Sequence, residues 1–240
     1  MLGSRTVDRL LSALLHPIVA AWRKASDSSW RRLPRPLGEP IVHSTGPDVL
    51  RLLLVGGGIA VGYGTSSHEV ALGGNLARRI TALTGRGTSV QILAGANEQM
   101  AGAPKLLAQL DLGIFDGIVA TFGGAESATF LSPRRWRRDL ELMLDFVEAA
   151  GPHALPVFIG AVPLIDSIPG VWGTMARRRA LELNNQSRLV CKGRESAYFA
   201  AIDPLSPRVQ VAMNRDAYRA WGESLAPPIA AVLRRAAQPI

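Results

Sequence analysis

From about residue 50 onward, short and nearly continuous apolar runs alternate with longer segments whose apolar residues recur every three or four positions. The short runs predict strands at 51–55, 88–93, 117–122, 155–162 and 196–202. The longer segments predict helices over 69–84, 98–110, 132–151, 173–189 and 217–237. In the first helix, Leu72, Leu76, Ile80 and Leu83 fall on one face. The helix over 132–151 has Ser132 to cap it, Pro133 in its first turn and Gly151 at its stop. Its Trp136, Leu140, Met143, Leu144 and Val147 make one apolar stripe. The last helix is expected to be interrupted near Pro227 and Pro228. Near-continuous apolar strands alternating with helices belong to a parallel sheet covered on both faces. The pattern therefore predicts a three-layer α/β/α domain with a five-stranded parallel sheet. Ligands of such sheets sit at the carboxyl ends of the strands. There, Leu52 to Val55 run into Gly56, Gly57 and Gly58, a turn made of backbone alone.

The first 45 residues break this pattern. Residues 9–24 are apolar between basic flanks, too short to span a bilayer, and contain His16 and Pro17. They read as an amphipathic arm lying on a membrane or on the domain. Residues 31–48, rich in proline and glycine, read as a linker. The expected organisation is a basic arm and linker over 1–45 and one domain over 46–240.

Composition narrows the classes. The 240 residues carry a net charge of +8, and the cations are nearly all arginine. Their clusters lie mostly on expected helices and read as solvated faces, with an anionic membrane surface as the sharper alternative. No recognition motif accompanies the charge, so nucleic acid is not expected as a partner. Cys191 is the one cysteine, and the four histidines are scattered, which leaves no metal-ligand spacing. The glycine turn matches neither the dinucleotide fingerprint nor a P-loop, and no cofactor is expected. A reducing compartment fits, with the protein cytoplasmic and peripheral at the inner face of the membrane.

Four blocks in order, over roughly three quarters of the chain, resemble the SGNH/GDSL hydrolases. Residues 52–80 resemble that family's first block, where Gly-Asp-Ser follows the first strand. "ILAGANEQM" (92–100) resembles the second, with Gly95 at the oxyanion-hole glycine. "ATFGGAESATFLSPRRWRRDL" (120–140) resembles the third, which carries Gly-x-Asn-Asp. "AYRAWGESLAP" (217–227) resembles the segment after the last, Asp-x-x-His block. The resemblance implies a flavodoxin-like fold and esterase, lipase or acyltransferase chemistry. In that chemistry Ser attacks, His takes its proton, Asp orients the His, and backbone N–H groups with an Asn hold the oxyanion. Carried onto this chain, the Asp and Ser positions hold Gly57 and Gly58. The Asn position holds Ala125, and the last block's Asp and His positions hold Val209 and Ala212. Only the backbone donors, Gly58 and Gly95, are retained. The resemblance therefore implies a degenerate member: a ligand binder for an acyl or glycan group, or a partner of an active enzyme.

Other residues leave two readings open. Ser66, Ser67 and His68 form either a displaced Ser–His pair or a loop capping the next helix. Glu126 is either a lone acid or a hydrogen-bonded loop residue. Cys191, near Lys192 and Arg194, is either an activated or a structural thiol. Leu164, Ile165, Ile168, Val171 and Trp172 either line an acyl pocket or pack as a lid on the core. The competing function is a weak or rewired serine esterase or acyltransferase using Ser66, Ser67 or Glu126 on an acyl or acetyl ester.

Overall fold

The structure is a computed structural model that describes residues 33–152, 155–160, 170–201 and 213–236. Strand β2 (Leu50–Gly56) runs through the middle of the sheet. Its period of two sends Leu52 and Leu54 into the core on one face, and Leu53 and Val55 into the core on the other. Parallel to it lie β3 (Thr88–Ala94) on one side and β4 (Gly117–Thr121) on the other. Then follow β5 (Val157–Gly160) and β6 (Ala197–Ala200).

The sheet has six strands rather than the expected five. Strand β1 (Ile41–Ser44) pairs antiparallel with β3, Ile41 opposite Gln91 and Ser44 opposite Thr88. It falls in the segment read as linker. Only Val42 of its four residues is buried, so it leaves too little alternation among the prolines to register as a strand. The order is β1-β3-β2-β4-β5-β6. Its parallel part is the doubly wound, flavodoxin-like order with the switch point beside β2.

Helices α1 (Leu72–Thr84) and α6 (Arg215–Ala236) cover one face. Helices α2 (Ala103–Leu107), α4 (Pro133–Ala150) and α5 (Gly170–Lys192) cover the other. Helix α3 (Gly124–Ala128) is a single short turn after β4. The α4 stripe from Trp136 to Val147 is buried throughout, and the Trp136 indole N–H donates to Ser187 Oγ at 3.0 Å. Ser132 caps that helix through the Arg135 N–H.

Helix α5 (Gly170–Lys192) extends beyond the expected 173–189 at both ends, and three further helices differ from the pattern. The helix expected from Glu69 starts at Leu72, because Ala71 is extended. The helix expected over 98–110 is a 3-10 turn (Met100–Gly102) followed by the short α2. Pro104 begins α2 because its ring would clash with the carbonyl four residues earlier in a longer helix. Helix α6 runs through Pro227 and Pro228 without a break. The two prolines leave the Glu223 and Ser224 carbonyls without intrahelical donors, but Glu223 and Pro227 are exposed to water. Leu225, Ala226, Ile229, Ala230 and Leu233 are buried on the other side. Their packing outweighs the ~3 kcal/mol that an interior proline costs.

Candidate functional site

The glycine turn leaves the carboxyl end of β2, at the switch point, with β3 and β4 ending on either side. Gly57 continues the ladder by donating its N–H to the Thr121 carbonyl at 3.1 Å. A 3-10 turn (Gly58–Val61) then buries Ile59, Ala60 and Val61. The two central glycines sit in opposite surroundings. Gly57 is extended, but a Cβ there would lie 2.7 Å from the Glu98 carbonyl oxygen. Gly58 is left-handed at φ +54°, and a Cβ there would meet nothing within 4 Å. Space for a side chain exists at Gly58, where the resemblance implies a nucleophile, and is closed at Gly57.

The two backbone donors of the expected oxyanion hole have different fates. As the first residue of the 3-10 turn, Gly58 has an N–H that no carbonyl within the turn can accept. The Gly95 N–H donates to the Gly56 carbonyl at 3.2 Å, extending the sheet. The Glu98 side chain lies over Gly95, with its Cγ 2.9 Å and its Oε1 3.0 Å from where a Cβ would be.

Glu126 is buried and structural in its geometry. Its Oε1 accepts the Met100 N–H at 2.8 Å and its Oε2 accepts the Gly123 N–H at 3.1 Å. It thereby caps α3 and ties the loop after β3 to the loop after β4. Ala125, at the position expected for the oxyanion Asn, is half-buried in α3.

Ser66, Ser67 and His68 lie in the turn leading to α1. Ser66 is exposed, and its carbonyl accepts the Leu37 N–H at 3.2 Å. The His68 carbonyl accepts the Gly74 N–H at 3.1 Å, which fits a capping role. Its ring is half-buried, with Nδ1 buried and without a partner among the described residues. Desolvation lowers its pKa below the ordinary value of 6.5. Burial pushes the Cys191 thiol up to about 11 despite the nearby Arg194 charge, the signature of an inert thiol.

Val171 is 73% exposed on the first turn of α5, so it does not line an enclosed pocket. Trp172 is half-buried, its ring tilted against Phe130 at 6.1 Å. Leu164, Ile165, Ile168, Val209 and Ala212 lie outside the described residues. Two residues of the site escaped the sequence reading. Glu98 lies in the second block, of which the resemblance singled out only Gly95. Thr121 ended an apolar strand unremarked, yet its buried hydroxyl has no partner among the described residues and lies beside Gly56. Among the described residues, no three His, Cys, Asp or Glu side chains gather as metal ligands would. None of their helices is long and apolar enough to cross a membrane.

No family model matches the chain, and no curated protein matches its sequence. Solved structures do match its fold. It is similar to a Corynascus thermopiles (Myceliophthora fergusii) carbohydrate esterase family 2 enzyme, at 16% identity and TM-score 0.60. That match covers 79% of this chain and 68% of the other. It is similar to the M. smegmatis aryl esterase, at 15% identity and TM-score 0.58, over 76% of this chain and 99% of that one. A lipase/acylhydrolase from Enterococcus faecalis matches at 19% identity and TM-score 0.58, over 76% and 96%. The domain thus has the α/β/α fold of the SGNH/GDSL-type esterases, lipases and acylhydrolases.

Proposed function

We propose that this chain is a non-catalytic ligand-binding protein built on an esterase fold. The glycine turn carries this reading. Where the resemblance implies a serine nucleophile, the chain has Gly58 and open space; where it implies the preceding aspartate, it has Gly57 against a backbone carbonyl. A residue without a side chain supplies no nucleophile. The Ala125 position offers no oxyanion amide, and the Glu126 carboxylate is engaged by two backbone N–H groups. The ligand is an acyl or glycan group, the two classes named for similar structures described as lipase/acylhydrolase and carbohydrate esterase. A second role compatible with the same site is regulation of an active partner enzyme. The basic N-terminal arm would hold the protein at an anionic membrane surface, a contact that salt should weaken.

The test is intact-mass analysis after exposure to a reactive fluorophosphonate ester, beside a denatured control and an active esterase. The folded chain should gain no adduct. A fast, single, fold-dependent adduct would sink the proposal.

One observation favours a rewired esterase: the buried His68 Nδ1, without a partner among the described residues, and its lowered pKa, next to Ser67. Peptide mapping of an adduct to Ser66 or Ser67, abolished by His68→Gln, would establish that reading instead.

A further inference from the structure

Away from the glycine turn, at the far edge of the sheet, a groove of about 360 Å³ opens along β6. Its floor is Ala197, Tyr198 and Phe199. One wall is the last turns of α5, with Cys191 between Arg188 and Lys192. The other is the end of α6, with Ala231, Val232 and Arg235. The interior is apolar, because Cys191, Ala197 and Val232 are buried and the two aromatic rings are half-buried. All three charged residues lining it are cations, all are exposed, and none has a carboxylate partner among the described residues. Elsewhere, Arg194 is held by Asp145 and Glu148, and Arg178 and Arg179 by Glu182. The Arg188 guanidinium lies over the Phe199 ring at 4.6 Å, so it already stands at the mouth of the groove.

We propose that this groove binds a free single-chain amphiphile with an anionic head, a fatty carboxylate or its phosphate counterpart. The apolar floor takes the chain, and Arg188, Lys192 and Arg235 take the head. The volume lies within the range of small-molecule sites, and charged groups converging on an apolar slot are their usual make-up. Charge complementarity selects the anion: a neutral ligand would leave the three lining cations without a counter-charge. Arginine offers a carboxylate or phosphate two parallel N–H donors, and Arg188 and Arg235 stand on opposite walls.

The probe is laurate, below its critical micelle concentration, titrated into the full chain by calorimetry, with dodecanol as the neutral control. Laurate should bind with 1:1 stoichiometry and dodecanol far more weakly. The triple variant Arg188→Gln, Lys192→Gln, Arg235→Gln changes only exposed side chains, so it should fold as wild type does. It should lose at least about tenfold in laurate affinity, the scale of hydrogen bonds to charged groups. Laurate should also slow methanethiosulfonate labelling of Cys191, which lines the groove. Unchanged affinity in the triple variant would place the ligand elsewhere and overturn the proposal, whatever becomes of the glycine turn. Binding to anionic vesicles without binding to monomeric laurate would overturn it as well.

Discussion

Placing a side chain at each of the two central positions of the glycine turn, one at a time, separates conformation from space. At Gly57 the backbone is extended, a conformation open to any residue, so a new side chain costs only what packing imposes. Its Cβ would press on the Glu98 carbonyl at 2.7 Å, with the Gly95 carbonyl at 3.5 Å. Both are backbone atoms of one closed turn, in which the Glu98 N–H donates to the Gly95 carbonyl. The turn must therefore retreat by several tenths of an ångström, an overpacking cost of about 1–3 kcal/mol. An aspartate adds a carboxylate facing two carbonyl oxygens, about 1–3 kcal/mol more. At Gly58 the balance is reversed. No atom opposes a Cβ, and the left-handed backbone costs a non-glycine residue about 1–2 kcal/mol. Urea unfolding followed by tryptophan fluorescence should rank the variants Gly57→Asp, Gly57→Ala and Gly58→Ser, from most to least destabilised. The gap between the first and last should be about 2–3 kcal/mol. Gly58→Ser should still fail to hydrolyse p-nitrophenyl acetate at more than the background rate, because the position expected for the base holds Ala212. Equal stability of Gly57→Asp and Gly58→Ser would refute the claim that the turn is closed at one position and open at the next.

Three further outcomes follow from the same contacts. Glu126→Gln keeps one acceptor where two backbone donors converge, and should cost about 1–3 kcal/mol in urea unfolding; faster amide exchange at Met100 and Gly123 would localise the loss. His68 has a folded pKa below 6.5, so the unfolded chain takes up a proton that the folded one resists. Stability should therefore fall as pH drops through that value, and His68→Gln should fall less between about pH 7.5 and 5.5. An identical slope in the variant would count against His68 as the source. With its thiol pushed from 9.0 to about 11, folded Cys191 should react with iodoacetamide at neutral pH at least about a hundredfold more slowly than in urea.

Much of the fold could be read because it rests on long, strongly periodic segments. The α4 stripe and the nearly all-apolar β2 and β4 point to a covered parallel sheet. The errors arose where tertiary packing overrode local preference. Proline rules placed a break in α6, but a buried face from Leu225 to Leu233 keeps it helical through both prolines. Strand β1 has one buried residue and takes its place from the β3 edge rather than from its own pattern. At the site, a motif comparison reveals which side chains are absent, since that is a matter of identity. It cannot reveal that Gly95 donates its N–H to Gly56, or that the Glu98 side chain lies over Gly95, since those depend on loop paths.

These loop paths bear on why the turn keeps its shape without the residues implied by the resemblance. A vacated polar site normally leaves buried donors unpaired, and each costs about 1–3 kcal/mol. Here four backbone donors around the turn are taken internally, while the buried Thr121 hydroxyl has no partner among the described residues. Gly57 donates to Thr121, Gly95 to Gly56, and Met100 and Gly123 both to Glu126. Three loops, from β2, β3 and β4, are thus tied to one another by bonds that need only one side chain. That side chain is the Glu126 carboxylate, standing one residue after Ala125 where the resemblance implies an acid. An acid at this position earns retention through the cap it makes on α3, independently of any triad. The end of the sheet is therefore stable as a scaffold whether or not a nucleophile stands at Gly58. This makes the stability of Gly58→Ser and its lack of activity two separable measurements rather than one.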